Sequence, residues 1–285
     1  MTRQPDRDIL QEWRESAPFW EKHADTIRSM FAPITSALIE TAGIERGCLV
    51  LDVAGGSGEP SLTLADIVKP SGSVVFTDAV HRMVLTSQTH ALDRKLTNIH
   101  FAQCAAEALP FQTDTFDILV CRLGVMLFRD PAVAVAEALR VIKPSGRIAF
   151  AVWHTNSSNP FFSVAANVVS RYVDATPEDP NAPGAFRFAE PGKLAGMLAE
   201  AGAIDVSERL FKFTISSTLT PRQYWELRSE LSDTLRAKLA ALSPEQVANI
   251  ALDVEEAARE YYDAGQMRFS AEVLIVSGRK LDVPA

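Results

Sequence analysis

Three regimes of hydrophobic and polar spacing divide the chain. Between residues 6 and 43, apolar side chains recur at steps of three and four, with Trp13, Ala17, Trp20, Ala24, Ile27 and Phe31 on one face, which predicts amphipathic helices. Ser16 followed by Pro18 predicts a fresh helix start inside this stretch, and Ile34 to Ala42 reads as a further short helix stopped by Gly43. From Cys48 the pattern changes to short unbroken apolar runs, near 48–51, 73–77, 99–102, 116–120 and 147–153, alternating with helical spacing. That is the pattern of a buried, mainly parallel sheet with helices on both faces. The quartet Lys-Pro-Ser-Gly occurs at 69–72 and again at 143–146, each time between helix and strand, and reads as two turns of one kind. Beyond residue 155 the expectation is a helix over 161–173, a proline-bearing loop over 176–184, a helix over 191–201 and a strand over 204–213. A second helical insertion follows from Pro221 to about Gln266, then a closing strand over 269–277.

The expected fold is therefore α/β, a doubly wound Rossmann-like sheet of seven strands with the last antiparallel, plus a helical cap. Its segments are an N-terminal helical lid (1–45), a core (46–154), a cap insertion (155–190), a return to the core (191–216), a second cap insertion (217–268) and a final strand with tail (269–285).

Composition narrows the function. A 47% hydrophobic fraction over 285 residues supports a large core. With 28 basic against 36 acidic residues the net charge is −8 and no basic run stands out, which argues against nucleic acid as partner. No apolar run approaches the roughly 20 residues of a membrane span, and the acidic, Trp-containing start is no signal peptide, so a soluble cytoplasmic protein is expected. Cys48, Cys104 and Cys121 lie in or beside apolar strands without metal-ligand spacing; they read as buried thiols, and no metal is expected.

Candidate chemistry centres on Val50-Leu51-Asp52-Val53-Ala54-Gly55-Gly56-Ser57-Gly58-Glu59-Pro60, a strand running into a glycine turn and a helix beginning at Glu59-Pro60. Glycines let the backbone approach a ligand, and the free N–H groups of the first helical turn point at it. The third glycine of a dinucleotide fingerprint is absent, and Asp52 is a poor neighbour for a pyrophosphate but a good one for a cation. Asp78, 20 residues past Gly58 at the end of the next strand, is placed to accept both hydroxyls of a ribose, with Ala79 and Met83 beside it. His154, at the end of the strand over 147–153, is a candidate general base. Met126 and Phe128 read either as acceptor pocket or as core.

The glycine turn with its preceding acid resembles motif I of class I S-adenosylmethionine (SAM) methyltransferases. The run Cys104-Ala105-Ala106-Glu107-Ala108-Leu109-Pro110-Phe111, with Phe116-Asp117-Ile118-Leu119-Val120 behind it, resembles the corresponding block of the ubiquinone and menaquinone biosynthesis type. The likeness runs from residue 48 to about 153. It implies SAM as cofactor, held by Asp52, Ala54, Gly55, Gly56 and Gly58, by Asp78, Ala79 and Met83, and by a loop of Ala105, Ala106 and Glu107 closing over the adenine. The backbone of Arg122 and Leu123 would flank the methionine. Ala105 replaces the family's aspartate, leaving the adenine amine to a carbonyl or water; Ala54 replaces the first glycine, which a small side chain permits where φ is negative. The implied function is methyl transfer to an O, N or C centre of a small apolar or aromatic metabolite, the expected partner, with a homodimer left open. The alternative is a SAM-binding, non-catalytic regulator.

Overall fold

The computed structural model of the chain describes residues 9–173 and 179–282. Its strands are β1 (Leu49–Val53), β2 (Ser73–Asp78), β3 (Ile99–Gln103), β4 (Phe116–Arg122), β5 (Ile142–Trp153), β6 (Ala203–Ser217), the two-residue β7 (Tyr262–Asp263) and β8 (Gln266–Lys280). They form one sheet in the order β3-β2-β1-β4-β5-β8-β6, with β7 paired to β8 alone. The first five strands on this path are parallel; β8 runs antiparallel to both β5 and β6. β1 is central because Val50 to Val53 are all buried, as a strand covered on both faces requires. The order reverses between β1 and β4, and such a switch point opens a crevice at the carboxyl ends of the strands.

The helices of the core are α3 (Ser61–Ile67), α4 (His81–Asp93) and α5 (Pro131–Val141). Asp130 caps α5 by accepting the Val133 N–H, with Pro131 at the first helical position. The helix after the glycine turn starts at Ser61 rather than at Glu59-Pro60; Pro60 is its cap residue.

The N-terminal region differs from the expectation. α1 (Ile9–Lys22) carries Pro18 inside it, and the break comes at His23, before a single 19-residue α2 (Ala24–Ala42) that contains Pro33. Ile27, Met30, Phe31, Ile34 and Leu38 form one continuous buried face on α2, so packing against the sheet outweighs the local cost of the proline. Gly43 stops α2 as expected, at φ 62° with its N–H on the Glu40 carbonyl.

The two Lys-Pro-Ser-Gly quartets also differ. The first is a turn, in which the Gly72 N–H reaches the Val68 carbonyl. The second lies within β5: Ile142 pairs with Phe116 but Arg147 with Ile118, so the extra residues form a bulge, with Ser145 at φ 60°.

The cap comprises α6 (Pro160–Val169), α8 (Pro221–Leu231), α9 (Asp233–Ala240) and α10 (Pro244–Ala258), while α7 (Lys193–Glu200) returns to the core and packs on β6 and β8. Capping boxes start α8 (Thr220, Gln223) and α10 (Ser243, Gln246). Residues 176–178 of the expected proline loop lie outside the described residues. α1 joins core and cap: Trp13 and Trp20 pack with Ala17, Val80 and Met83 at the start of α4, Lys22 and His23 hold Glu230 of α8 at 2.7 and 2.6 Å, and buried Ser16 bonds Asp233 and Arg236 of α9. Of the three thiols only Cys121 is buried, while Cys48 and Cys104, just outside β1 and β3, are half-buried; burial nevertheless pushes Cys104 up to about 11. No helix among the described residues is long and apolar enough to cross a membrane.

Candidate active site

Two carboxylates organise the carboxyl edge of β1 and β2. Asp52 is fully buried; the Ser61 N–H and Oγ–H donate to its Oδ2 at 3.1 and 2.6 Å, which ties the end of β1 to the first turn of α3. Its Oδ1 has no partner. Burial pushes Asp52 up to about 7, against the pull of Ser61 and of the Arg122 charge. Asp78 accepts the Gly56 N–H on Oδ2 at 3.0 Å and the Val80 N–H on Oδ1 at 2.8 Å, so it fastens the glycine turn to the end of β2. Burial raises it to about 6.

The turn itself leaves space. At Gly56, φ is 57° and an added Cβ would meet nothing within 4 Å, which marks the open wall of the cradle. At Gly55 the same atom would strike the Phe76 ring at 2.4 Å. Ala54 lies at φ 57°, so the negative φ expected for an alanine there is not found. Leu123, at the end of β4, is also left-handed at φ 64°. Each costs ~1–2 kcal/mol. Ala54→Gly relieves one of them at a smaller entropic cost, so its melting temperature is expected to rise by about 2 °C; a drop would show that the Ala54 methyl contributes more by packing than it costs in φ.

Arg122, the last residue of β4, sends Nη1 to the Thr35 hydroxyl of α2 at 2.8 Å, while its Nε is buried without a partner. Unmatched polar atoms of opposite sign, Asp52 Oδ1 and Arg122 Nε, thus lie at the ends of neighbouring strands. Buried groups of this kind are rarely left unpaired, and a bound ligand or ordered water completes them. The sequence pointed to the Arg122 backbone and missed the side chain; an arginine closing the apolar run Ile118 to Cys121 was the available signal.

The loop after β3 is drawn in by the Cys104 N–H on the Asp78 carbonyl at 3.1 Å. Ala106 is buried beside it, and the Ala108 N–H turns back to the Ala105 carbonyl. Glu107 points away: its Oε1 accepts the Asp130 N–H, holding the loop to the start of α5. Ala79 adds a backbone N–H to Asp78, and Met83 is buried beneath α1. His154 is tied elsewhere. Its N–H reaches the Glu272 carbonyl at 3.1 Å and its Nδ1 lies 2.9 Å from Glu272 Oε2, on β8.

Residues 34–174, just under half of the chain, match the model of the ubiE/COQ5 methyltransferase family. That stretch is similar in sequence to this family, and the sheet around it shares its fold with solved structures. Over 133 residues the chain is 35% identical to the ubiquinone/menaquinone biosynthesis C-methyltransferase UbiE of Hahella chejuensis, covering 46% of this chain and 53% of that one. The chain thus spans about half the length of the curated relatives it matches. Among solved structures it is similar in fold to the YcgJ protein of Bacillus subtilis (TM-score 0.57, 20% identity, 87% of this chain and 98% of that one). It is likewise similar to Haemonchus contortus phosphoethanolamine N-methyltransferase 2, solved in complex with SAM (TM-score 0.57, 16% identity, 96% and 60%). The family match ends at residue 174, so most of the cap lies beyond it.

Proposed function

We propose that this chain transfers the methyl group of SAM to an O, N or C centre of a small, apolar or aromatic metabolite. The observation that carries the reading is the pair of unmatched buried atoms, Asp52 Oδ1 and Arg122 Nε, beside an open glycine cradle whose far end is Asp78. In this reading Asp78 accepts the ribose hydroxyls, Asp52 faces the ammonium and Arg122 the carboxylate of the methionine end. Ala106 offers its N–H to the adenine, and Met83, under α1, closes over it.

Bound SAM supplies a methyl group already activated on a sulfonium. What remains for the protein is to hold a nucleophile close, on axis and dry, and such positioning is worth ~7–11 kcal/mol in favourable cases. α1 and the cap exclude water, and Phe31, Trp153 and Phe162, packed at 5.4 and 4.8 Å, offer an aromatic wall at the carboxyl end of β5. His154 is the candidate base, with its ring oriented by Glu272 through Nδ1. On an identified acceptor, His154→Ala is expected to lower kcat by about 10²-fold or more; an unchanged kcat would leave it only the work of joining β5 to β8. The reading as a whole is tested by incubating the protein with methyl-tritiated SAM and a panel of phenols, hydroquinones and aromatic amines. Label is expected in at least one product, and failure with every class while SAM binds would favour a regulator.

A further inference from the structure

α8 carries a cation that the methyl-transfer reading leaves without a task. Arg228 is 7% exposed, and its Nε has no partner. No carboxylate among the described residues pairs with it. Its polar neighbour is the Tyr224 hydroxyl, which itself donates to the Phe161 carbonyl at 2.9 Å. The guanidinium stands 4.6 Å from the centroid of Phe162 and 5.1 Å from that of Phe161. Burial lowers its pKa, but an arginine stays charged under these conditions. Cation–π contacts offset part of the cost of burying that charge, yet they leave its Nε–H unmatched.

The two rings under Arg228 belong to a wall that reaches back toward the cofactor edge. Phe162 packs on Trp153 at 4.8 Å, Phe161 on Phe31 at 6.4 Å, and Trp153 on Phe31 at 5.4 Å. Phe31 lies four residues before Thr35 on α2, on the same face, and Thr35 is the residue that receives Arg122. A chain of packed rings therefore runs from Arg228 in the cap to the stretch of α2 whose Thr35 holds Arg122. The chain as a whole carries a net charge of −8, so an anion gains nothing from the protein's overall field and must be recognised by a local cation.

We propose that Arg228 binds the carboxylate of an aromatic acceptor whose ring lies against Phe31, Trp153 and Phe162. This rests on the methyl-transfer reading and names its substrate class: an aromatic acid. Two N–H groups along one edge of the guanidinium, Nε among them, match the two oxygens of a carboxylate, and the rings supply the stacking surface for its body.

The test uses the protein loaded with S-adenosylhomocysteine and measures the affinities of benzoate, salicylate, 4-hydroxybenzoate and 1-naphthoate against those of their uncharged amides. At least one acid is expected to bind tenfold or more tightly than its amide. Arg228→Met is expected to abolish that preference while leaving S-adenosylhomocysteine affinity unchanged, and Arg228→Lys to retain part of it. Equal affinities in every acid–amide pair, or a preference that survives in Arg228→Met, would overturn the inference. If the methionine variant fails to fold, the pair comparison in the wild type and in Arg228→Lys still decides. Absence of S-adenosylhomocysteine binding would instead remove the methyl-transfer reading, so the two failures are distinguishable.

Discussion

Asp78→Ala is expected to lower SAM affinity by roughly 100-fold or more. Hydrogen bonds to a charged acceptor are worth ~1.5–3 kcal/mol each, and the proposed site asks Asp78 for two of them, one to each ribose hydroxyl. The same carboxylate accepts the Gly56 and Val80 N–H groups, so its removal also leaves these donors unmatched and loosens the glycine turn. A lower melting temperature in the cofactor-free protein should accompany the lost affinity. Calorimetry and thermal unfolding of the one variant read both effects. Wild-type affinity in a destabilised variant would keep Asp78 as a structural tie and move the ribose elsewhere.

Asp52→Asn is expected to act with opposite signs on stability and on binding. Burial raises the Asp52 pKa from 3.8 to about 7, so the folded state holds this proton more tightly than the unfolded state does. The resulting contribution to stability is complete below the unfolded value and is lost as pH rises through about 7; Asp78, raised to about 6, works in the same direction. The cofactor-free protein should therefore lose stability between pH 5 and pH 8. Asparagine keeps an acceptor for Ser61 and carries no charge, so the variant should be more stable than the wild type at pH 8, by ~2–4 kcal/mol from a shift of about three units. Binding should move the other way. The ammonium of SAM favours ionised Asp52, so wild-type affinity should rise between pH 6 and pH 8 with release of a proton, and Asp52→Asn should be weaker and flat with pH. A wild-type profile without slope over that range would contradict the assignment of Asp52 to the cation.

Much of this site was legible because it rests on backbone chemistry. A strand ending in an acid, a glycine turn and a second acid 20 residues on are constrained by local geometry, and the structure brings Asp52, Gly56 and Asp78 to one edge as that spacing implies. The mainly parallel sheet followed from the alternation of buried runs and helices. What escaped the sequence depends on contacts distant along the chain. The break in the N-terminal helices was placed by a proline rule, whereas the buried face of α2 kept Pro33 inside one helix. Ala54 was permitted on the condition of a negative φ, but the turn between Val53 and Gly55 sets φ at 57°. Glu107 lies in the loop after β3 with its carboxylate turned to Asp130, a partner 23 residues away. His154 was chosen by its position at a strand end, and only the pairing of β5 with β8 reveals Glu272 beside it. Arg228 had no local signal at all, since its meaning lies in the rings of α6 that the fold places under it.

The central claim is that the carboxyl edge formed by Asp52, the glycine turn, Asp78 and Arg122 is a SAM site. A calorimetric titration of the purified protein with SAM, and in parallel with S-adenosylhomocysteine and NADH, tests it most directly. Micromolar binding of both adenosyl ligands with none of NADH is the predicted result; NADH binding, or no heat from either adenosyl ligand, would contradict it.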